Sequence, residues 1–364
     1  MARATSVNSG AKIKVIGLGG SGCNAVTRMV REQLHGVEFI AMNTDAQHLE
    51  ITEAMSRVQL GEKLTRGLGA GGDYTVGRKA AEESRDAIRE AVSGSDMVFI
   101  TAGMGGGTGT GSAAIVAEQA KQTGALTIAV VTKPFSFEGT HRNKTAEEGI
   151  NTLMENVDTL IIIPNDRLLD LCDQKTSVDG AFRLADEVLH HGVQAIAEVI
   201  TVPGLINLDF ADVRTIMQDA GPAWMSIGRG TGQNRAVDAA KQALASPLLD
   251  VSMQGAKGVL FNISGANLTL YEVNNAAEVI KKAVDPNANV IFGVVMDPNM
   301  GSDVRLTLIA TGFISREAMA SANKDKELAR LLKGIEDDEL DMPSYMRQNK
   351  AYQTQRPATN KSYN

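Results

Sequence analysis

The run Gly103 to Ser112 reads GMGGGTGTGS, preceded by the apolar stretch Met97, Val98, Phe99 and Ile100 and followed by an Ala-rich stretch over 113–121. A buried strand that turns into a helix across glycines exposes unpaired backbone N–H groups and the positive end of a helix dipole. The missing Cβ also lets an anion come close to that backbone. The chemistry on offer is a phosphate cradle. A flexible linker is the alternative, but a linker is not bracketed so tightly by strand and helix.

Two further glycine loops accompany it. Gly17 to Gly22 (GLGGSG) follows a strand over 12–16 and opens a helix at Cys23, Asn24, Ala25 and Val26. This is a formal GxGxxG in the right local context, and Asp45, after a second strand over 38–42, stands near the place of a ribose-binding carboxylate. A nicotinamide dehydrogenase is therefore one reading. Gly67 to Gly72 (GLGAGG) is the third loop. A dinucleotide fold uses one phosphate-binding turn, whereas a triphosphate with its metal uses more. No GxxxxGK[ST] occurs, so no P-loop lysine is available.

Beyond the glycines, Asn207, Asp209 and Asp212 cluster at the start of a helix, where carboxylates three apart are most simply N-terminal caps. Phe182 falls on an apolar stripe and reads as core, and Glu138 reads as a surface carboxylate.

The elements that position these residues alternate as α/β. Each glycine loop falls at the carboxyl end of a strand. Helices are expected over 76–92 and 113–121, with strands over 126–132 and 159–163. Thr176, with Asp179 three residues on, predicts a capping box for one long helix whose stripe runs through Phe182, Ala185, Leu189, Val193, Ile196 and Ile200. That helix, ending at Val202, Pro203 and Gly204, is expected to be a spine between two α/β regions. Helices over 209–219, 237–245 and 272–284 and strands over 223–227, 259–264, 289–296 and 305–313 build the smaller one.

The 364 residues suffice for two cores, and the expected segments are a disordered start (1–11), a nucleotide-binding domain (12–175), the helix (176–202), a second domain (203–316), a linker (317–339) and a terminal peptide with a basic tail (340–364). The net charge of −7, without a basic cluster interleaved with aromatics, disfavours nucleic acid. Cys23 and Cys172 form neither a zinc spacing nor a disulfide framework, which points to a reducing compartment. No signal-like start or membrane-length apolar run is present, so a cytosolic protein without direct membrane insertion is expected. The apolar island Leu340 to Met346 within the polar tail reads as a short recognition peptide.

These residues together resemble the FtsZ family, the tubulin-like cell-division GTPases of bacteria, over almost the whole chain. The carrying motifs are GLGGSGCNAV (17–26), MNTDAQ (42–47), GLGAGG (67–72), GMGGGTGTG (103–111), FEGTHR (137–142), IPNDRL (163–168), AFRLADEVL (181–189) and NLDFAD (207–212). GGGTGTG alone is specific to the tubulin superfamily. Ser21 departs from the family's small Gly or Ala, and Asp73 with Tyr74 departs from its commoner Asn and Pro. The spacer before the terminal island is also short.

The resemblance implies a tubulin/FtsZ-like fold, with a Rossmann-type GTP-binding domain joined by a central helix to a smaller α/β domain. GTP or GDP with Mg2+ would be held by the amides of Gly19, Gly20, Ser21, Gly22, Cys23 and Asn24, by Asn43, by Gly69, Ala70, Gly71 and Gly72, and by Gly103, Gly105, Gly106, Gly107, Thr108, Gly109 and Thr110. Glu138 and Arg142 are placed near ribose and phosphates. Asp186 would accept the two N–H groups of guanine, with Asn165 on the other edge and Phe182 stacked on the face. Asn207, Asp209 and Asp212 would enter the pocket of the next subunit in a head-to-tail homopolymer and polarise the attacking water and the cation. No protein metal-ligand set is expected. The segment Leu340 to Arg347 would dock membrane tethers and regulators, placing the protein at a mid-cell division ring. A catalytically inert filament scaffold of the same fold is the second reading, and the dehydrogenase the third.

Overall fold

The computed structural model describes residues 10–170, 172, 175–201, 209–249 and 253–313. Expectations for the start of the chain, the end of the spine helix, Asn207 and the tail, including Leu340 to Arg347, lie outside the described residues.

The chain begins with a strand and helix alternation: β1 (Ile13–Leu18), α1 (Gly19–Arg31), β2 (Val37–Asn43), α2 (Ala46–Ile51), β3 (Ser56–Gln59), α3 (Glu62–Thr65), α4 (Tyr74–Glu83), α5 (Arg85–Val92), β4 (Met97–Gly103), α6 (Thr108–Gln122), β5 (Leu126–Lys133), α7 (Thr140–Met154), β6 (Thr159–Pro164) and α8 (Asn165–Leu169). It continues with α9 (Val178–Thr201), α10 (Phe210–Met217), β7 (Gly221–Gly230), α11 (Arg235–Leu244), β8 (Gly258–Gly265), α12 (Leu270–Ala283), β9 (Asn289–Met296) and β10 (Val304–Thr311).

Strands β1 to β6 are parallel and lie in the order β3-β2-β1-β4-β5-β6. Their sequences are almost continuously apolar because both faces are covered. Ile13, Val15, Met97, Phe99, Ile128 and Val130 turn toward α1 and α9. The intervening Ile16, Leu18, Val98, Ile100, Ala129 and Val131 turn toward α4 to α7. The order reverses between β1 and β4, and their carboxyl ends carry two of the glycine loops. That crevice is where an open α/β sheet binds ligands.

The expected single helix over 76–92 is two, α4 and α5, because Ser84 leaves helical geometry (φ −98°, ψ 16°) and donates through its hydroxyl to no helical partner. Its Oγ instead accepts the Gly61 N–H at 2.9 Å. The predicted Thr176–Asp179 capping box is also replaced. Ser177 Oγ accepts the Gly180 N–H at 3.1 Å, and Asp179 pairs with Arg183 one turn on at 2.7 Å. Beyond these, α9 is the expected spine, about 36 Å long at ~1.5 Å per residue. Leu189, Val193 and Ile196 on it share one core with Leu260 of β8 and Ile309 of β10.

The two α/β regions are joined by more than this helix. β7 continues the sheet through parallel pairs Thr159–Gly221, Leu160–Pro222 and Ile161–Ala223, then diverges to run antiparallel with β10. β10, β8 and β9 complete a ten-stranded sheet, with α11 and α12 on the second region's own core. Buried Asp158 is the knot at this junction: its Oδ2 accepts the Thr127 N–H (2.8 Å), its Oδ1 meets Lys121 Nζ (3.2 Å), and its carbonyl accepts the Gly221 N–H (2.9 Å).

Candidate functional site

Two helix amino-termini converge at the carboxyl ends of β1 and β4. Helix α1 starts at Gly19 directly after β1, which leaves the N–H groups of Gly19, Gly20 and Ser21 without intrahelical partners, and α6 starts at Thr108 and leaves those of Thr108, Gly109 and Thr110. The two starts touch: a Cβ on Gly19, whose φ is +66°, would sit 2.9 Å from the Gly109 nitrogen. Only glycine permits this approach. Both dipoles then face one cleft of about 230 Å3, lined among others by Gly20, Ser21, Gly103, Gly106, Gly107, Thr108 and Gly109.

The far end of the cleft is built differently. Its walls are Thr132, Pro134, Glu138, Arg142, Asn165, Phe182, Ala185 and Asp186. Glu138 is fixed twice, accepting the Phe135 N–H at 2.8 Å and pairing with Arg142 Nη1 at 3.1 Å. Phe182 is 39 % exposed, not core as its stripe position suggests, and its ring stands edge-on to Phe135, which stacks on Phe137. Asn165, the first residue of α8, is only 4 % exposed, yet its Oδ1 has no hydrogen-bond partner. Such an orphan acceptor in a cleft fits a ligand that donates. Burial pushes the Asp186 carboxyl up to about 7, opposed by the charge of Arg28.

The comparisons with known proteins agree with this architecture. Residues 12–173 match the model of the Tubulin/FtsZ family, GTPase domain, and residues 221–314 match that of the FtsZ family, C-terminal domain. An FtsZ dimer structure from M. jannaschii is 48% identical over 83% of this chain and 88% of its own, with a TM-score of 0.81. The chain belongs to the FtsZ family. A mutant FtsZ from the same organism is 47% identical over 84% of this chain and 92% of its own, at a TM-score of 0.82. CetZ1 from Haloferax volcanii, as a GDP-bound monomer, shares the fold at 21% identity over 88% and 99% of the two chains, at a TM-score of 0.72. Tubulin/FtsZ GTPases bind GTP and GDP, and the amide-lined cradle, with the acceptors Asn165 Oδ1 and Asp186 at its far end, fits such a nucleotide.

Within an FtsZ fold, several expected site residues serve the frame of the cleft. Gly22, Cys23 and Asn24 sit inside α1, so their N–H groups are helical donors. The Cys23 side chain is buried beneath the turn, with its thiol pushed up to about 12 by burial. Asn24 instead lines a neighbouring cleft that it shares with Asp186. Asn43 is buried and ties the turn after β2, its Oδ1 accepting the Asp45 N–H at 3.3 Å. The Gly105 N–H is taken by Thr110 Oγ1 at 2.8 Å, which withdraws that amide from a ligand. Gly69 donates to the Thr44 carbonyl at 3.2 Å, and the loop of Ala70, Gly71 and Gly72 lies against the cradle, with Ala70 Cβ 2.8 Å from where a Cβ on Gly107 would be.

Two departures from the family pattern have structural roles. Ser21 is exposed over Gly103, whose missing Cβ leaves room for its hydroxyl. Asp73 caps α4, accepting from the Thr75 N–H at 2.8 Å. Asp45 likewise caps α2 by accepting the His48 N–H at 3.0 Å, so the carboxylate that the dehydrogenase reading needed for ribose is committed elsewhere. Thr44 was not anticipated: its hydroxyl lies 2.6 Å from that of Thr108 and orients it at the rim. Thr132 and Pro134 were also missed, although their place at the carboxyl end of β5 is the signal that identifies them.

Asp209 and Asp212 are exposed and do not line this cleft. Asp209 is the N-cap residue of α10, but its side chain accepts no capping hydrogen bond, so capping does not account for it. Among the described residues no group of three His, Cys, Asp or Glu side chains could hold a metal ion. A Mg2+ in this cleft would thus be held through phosphate oxygens and water, with the Thr108 hydroxyl within the same wall. No helix among the described residues is long and apolar enough to cross a membrane.

Proposed function

We propose that the protein is a cell-division GTPase that polymerises head to tail and hydrolyses GTP at a site completed by the next subunit. The observation that carries this reading is the separation of the two half-sites along β6. Thr159, its first residue, is bonded to α10, while Asn165, directly after its last residue, lies in the cleft. The strand spans about 20 Å at ~3.3 Å per residue. Asp212 and Asp209 are two and five residues from the next anchor, Arg214, whose Nη2 donates to the Gly124 carbonyl at 3.5 Å, or at most about 8 Å of helix. This separation supports carboxylates that act on the nucleotide of a neighbour.

In the assembled pair, the cradle amides and Arg142 bind the phosphates, Asp186, Asn165 and Phe182 select the base, and Asp209 and Asp212 of the neighbour, with Asn207, orient the water. The nucleotide's Mg2+ supplies charge neutralisation at the phosphates. Catalysis is positioning and electrostatics, as phosphoryl transfer requires. The exposed apolar side chains of Leu68 (84%) beside the cradle and Leu270 (80%) on α12 support self-association, as does the dimer state of the M. jannaschii FtsZ. The terminal island would recruit tethers to the inner face of the membrane at the division ring, and the protein works in the cytoplasm.

Phosphate release from GTP measured against protein concentration tests this. A shared site gives specific activity that rises steeply above a threshold. Activity strictly proportional to protein would overturn it, and binding without any turnover would favour the inert scaffold.

A further inference from the structure

Thr108 is the first residue of α6 and lines the phosphate cleft. Behind it stands Thr44, in the turn after β2, which is wholly buried and is not part of the cleft wall. The two hydroxyl oxygens are 2.6 Å apart, and Thr108 is the one hydrogen-bond partner of the Thr44 hydroxyl among the described residues. The backbones of both residues are held separately. The Thr44 carbonyl accepts the Gly69 N–H at 3.2 Å and the Thr65 hydroxyl at 3.3 Å, and the Thr108 carbonyl accepts the Ser112 hydroxyl at 2.7 Å.

Burial decides which hydroxyl donates. A wholly buried O–H that donates to nothing leaves a polar hydrogen unpaired, whereas Thr108 is half-buried at the cleft and can place its own proton there. The Thr44 O–H therefore points at Thr108 Oγ1. The Thr108 O–H is then left beside the unpartnered amides at the positive end of α6, a position that suits a phosphate oxygen and disfavours direct coordination of a cation. We propose that Thr44 is a positioning residue that, by donating to Thr108, makes the Thr108 hydroxyl a phosphate donor rather than a ligand of the nucleotide's Mg2+. This rests on the reading of the cleft as a nucleotide site. Replacing the Thr44 side chain leaves its carbonyl anchors in place, so the hydroxyl can be tested alone.

The test measures GDP affinity by titration calorimetry at protein concentrations below assembly, with Mg2+ and with EDTA in its place. Thr44→Ala is expected to weaken GDP about 3- to 10-fold, the weight of one hydrogen bond, equally in both buffers. Thr44→Ser, which keeps the hydroxyl, restores most of the affinity. Added to Thr108→Val, Thr44→Ala brings no further loss, because its effect runs through the Thr108 hydroxyl. A loss confined to the Mg2+ buffer would make Thr108 a metal ligand and overturn the proposal. So would unchanged binding, a loss that Ser fails to restore, or an undiminished loss in the Thr108→Val background, the mark of a merely structural residue. Should the Ala variant not fold, Thr44→Val keeps the side-chain volume and enters the same cycle. If the unaltered protein binds GDP no more tightly than guanosine, the reading of the cleft falls, and the proposal with it.

Discussion

Thr159, the first residue of β6, donates its hydroxyl to the carbonyl of Met217, the last residue of α10, and so fastens the helix that begins with Asp209 and Asp212 to the amino ends of the parallel strands. The cradle lies at the carboxyl ends of the same strands. The protein therefore carries the nucleotide cleft at one end of its sheet and the helix that begins with Asp209 and Asp212 at the other.

Asp212→Ala is expected to bind GTP normally and to lose hydrolysis by about 10²- to 10⁴-fold, the usual weight of a positioned general base. Mixing it with a variant unable to bind nucleotide separates a shared from a private site: in a shared site, the nucleotide-deficient subunits lend their intact carboxylates to Asp212→Ala neighbours and turnover returns. Near-normal turnover of Asp212→Ala at filament-forming concentrations would contradict the role.

The position of Phe182 makes a different kind of prediction. A stripe residue in a spine helix is ordinarily core, but this ring is partly exposed and touches Phe135 only edge-on. Phe182→Ala should thus leave the melting temperature within about 2 °C, since it empties no core cavity. GTP affinity should fall about tenfold or more, the weight of a base–aromatic stack. A large thermal loss with unchanged affinity would restore the core reading.

Much of this arrangement was legible in the residues themselves. Glycines between apolar strands and Ala-rich helices mark phosphate turns because nothing else tolerates φ +66° at Gly19, where a Cβ would lie 2.9 Å from the Gly109 nitrogen. What local pattern could not show was which amides are free. Gly105 and Gly69 look equivalent to Gly106 and Gly71, but their N–H groups are taken by Thr110 and Thr44. Those partners are set by tertiary packing. The continuity of the sheet was hidden for the same reason: β6 and β7 are separated by three helices in the chain, and a three-residue pairing between them leaves no periodic trace.

Asp158 offers a test of that junction. Its carboxylate is almost wholly buried and serves Thr127 and Lys121, while its carbonyl serves Gly221. Asp158→Ala leaves the Thr127 N–H buried and unpaired and leaves Lys121 with Asp219 (3.3 Å) as its remaining ion-pair partner, at a cost of about 2–4 kcal/mol. Urea unfolding should register it as a lower midpoint.

Asp186 trades stability for recognition, and the sign can be worked out. Its folded-state carboxyl is raised from 3.8 to about 7, so the folded chain holds a proton that the unfolded chain has already released. Stability from this group is present below the unfolded value and is lost as pH rises through about 7. Asp186→Asn removes the titration while keeping the shape. Without nucleotide, the variant should melt about 2–4 °C higher than the unaltered protein at pH 8 and no higher at pH 4. With GDP present the order should reverse, because an amide presents a donor where guanine needs a second acceptor. Differential scanning fluorimetry across pH, with and without GDP, reads both halves. A variant that is less stable than the unaltered protein at pH 8 without nucleotide would show that the Asp186 charge is already compensated in the free fold.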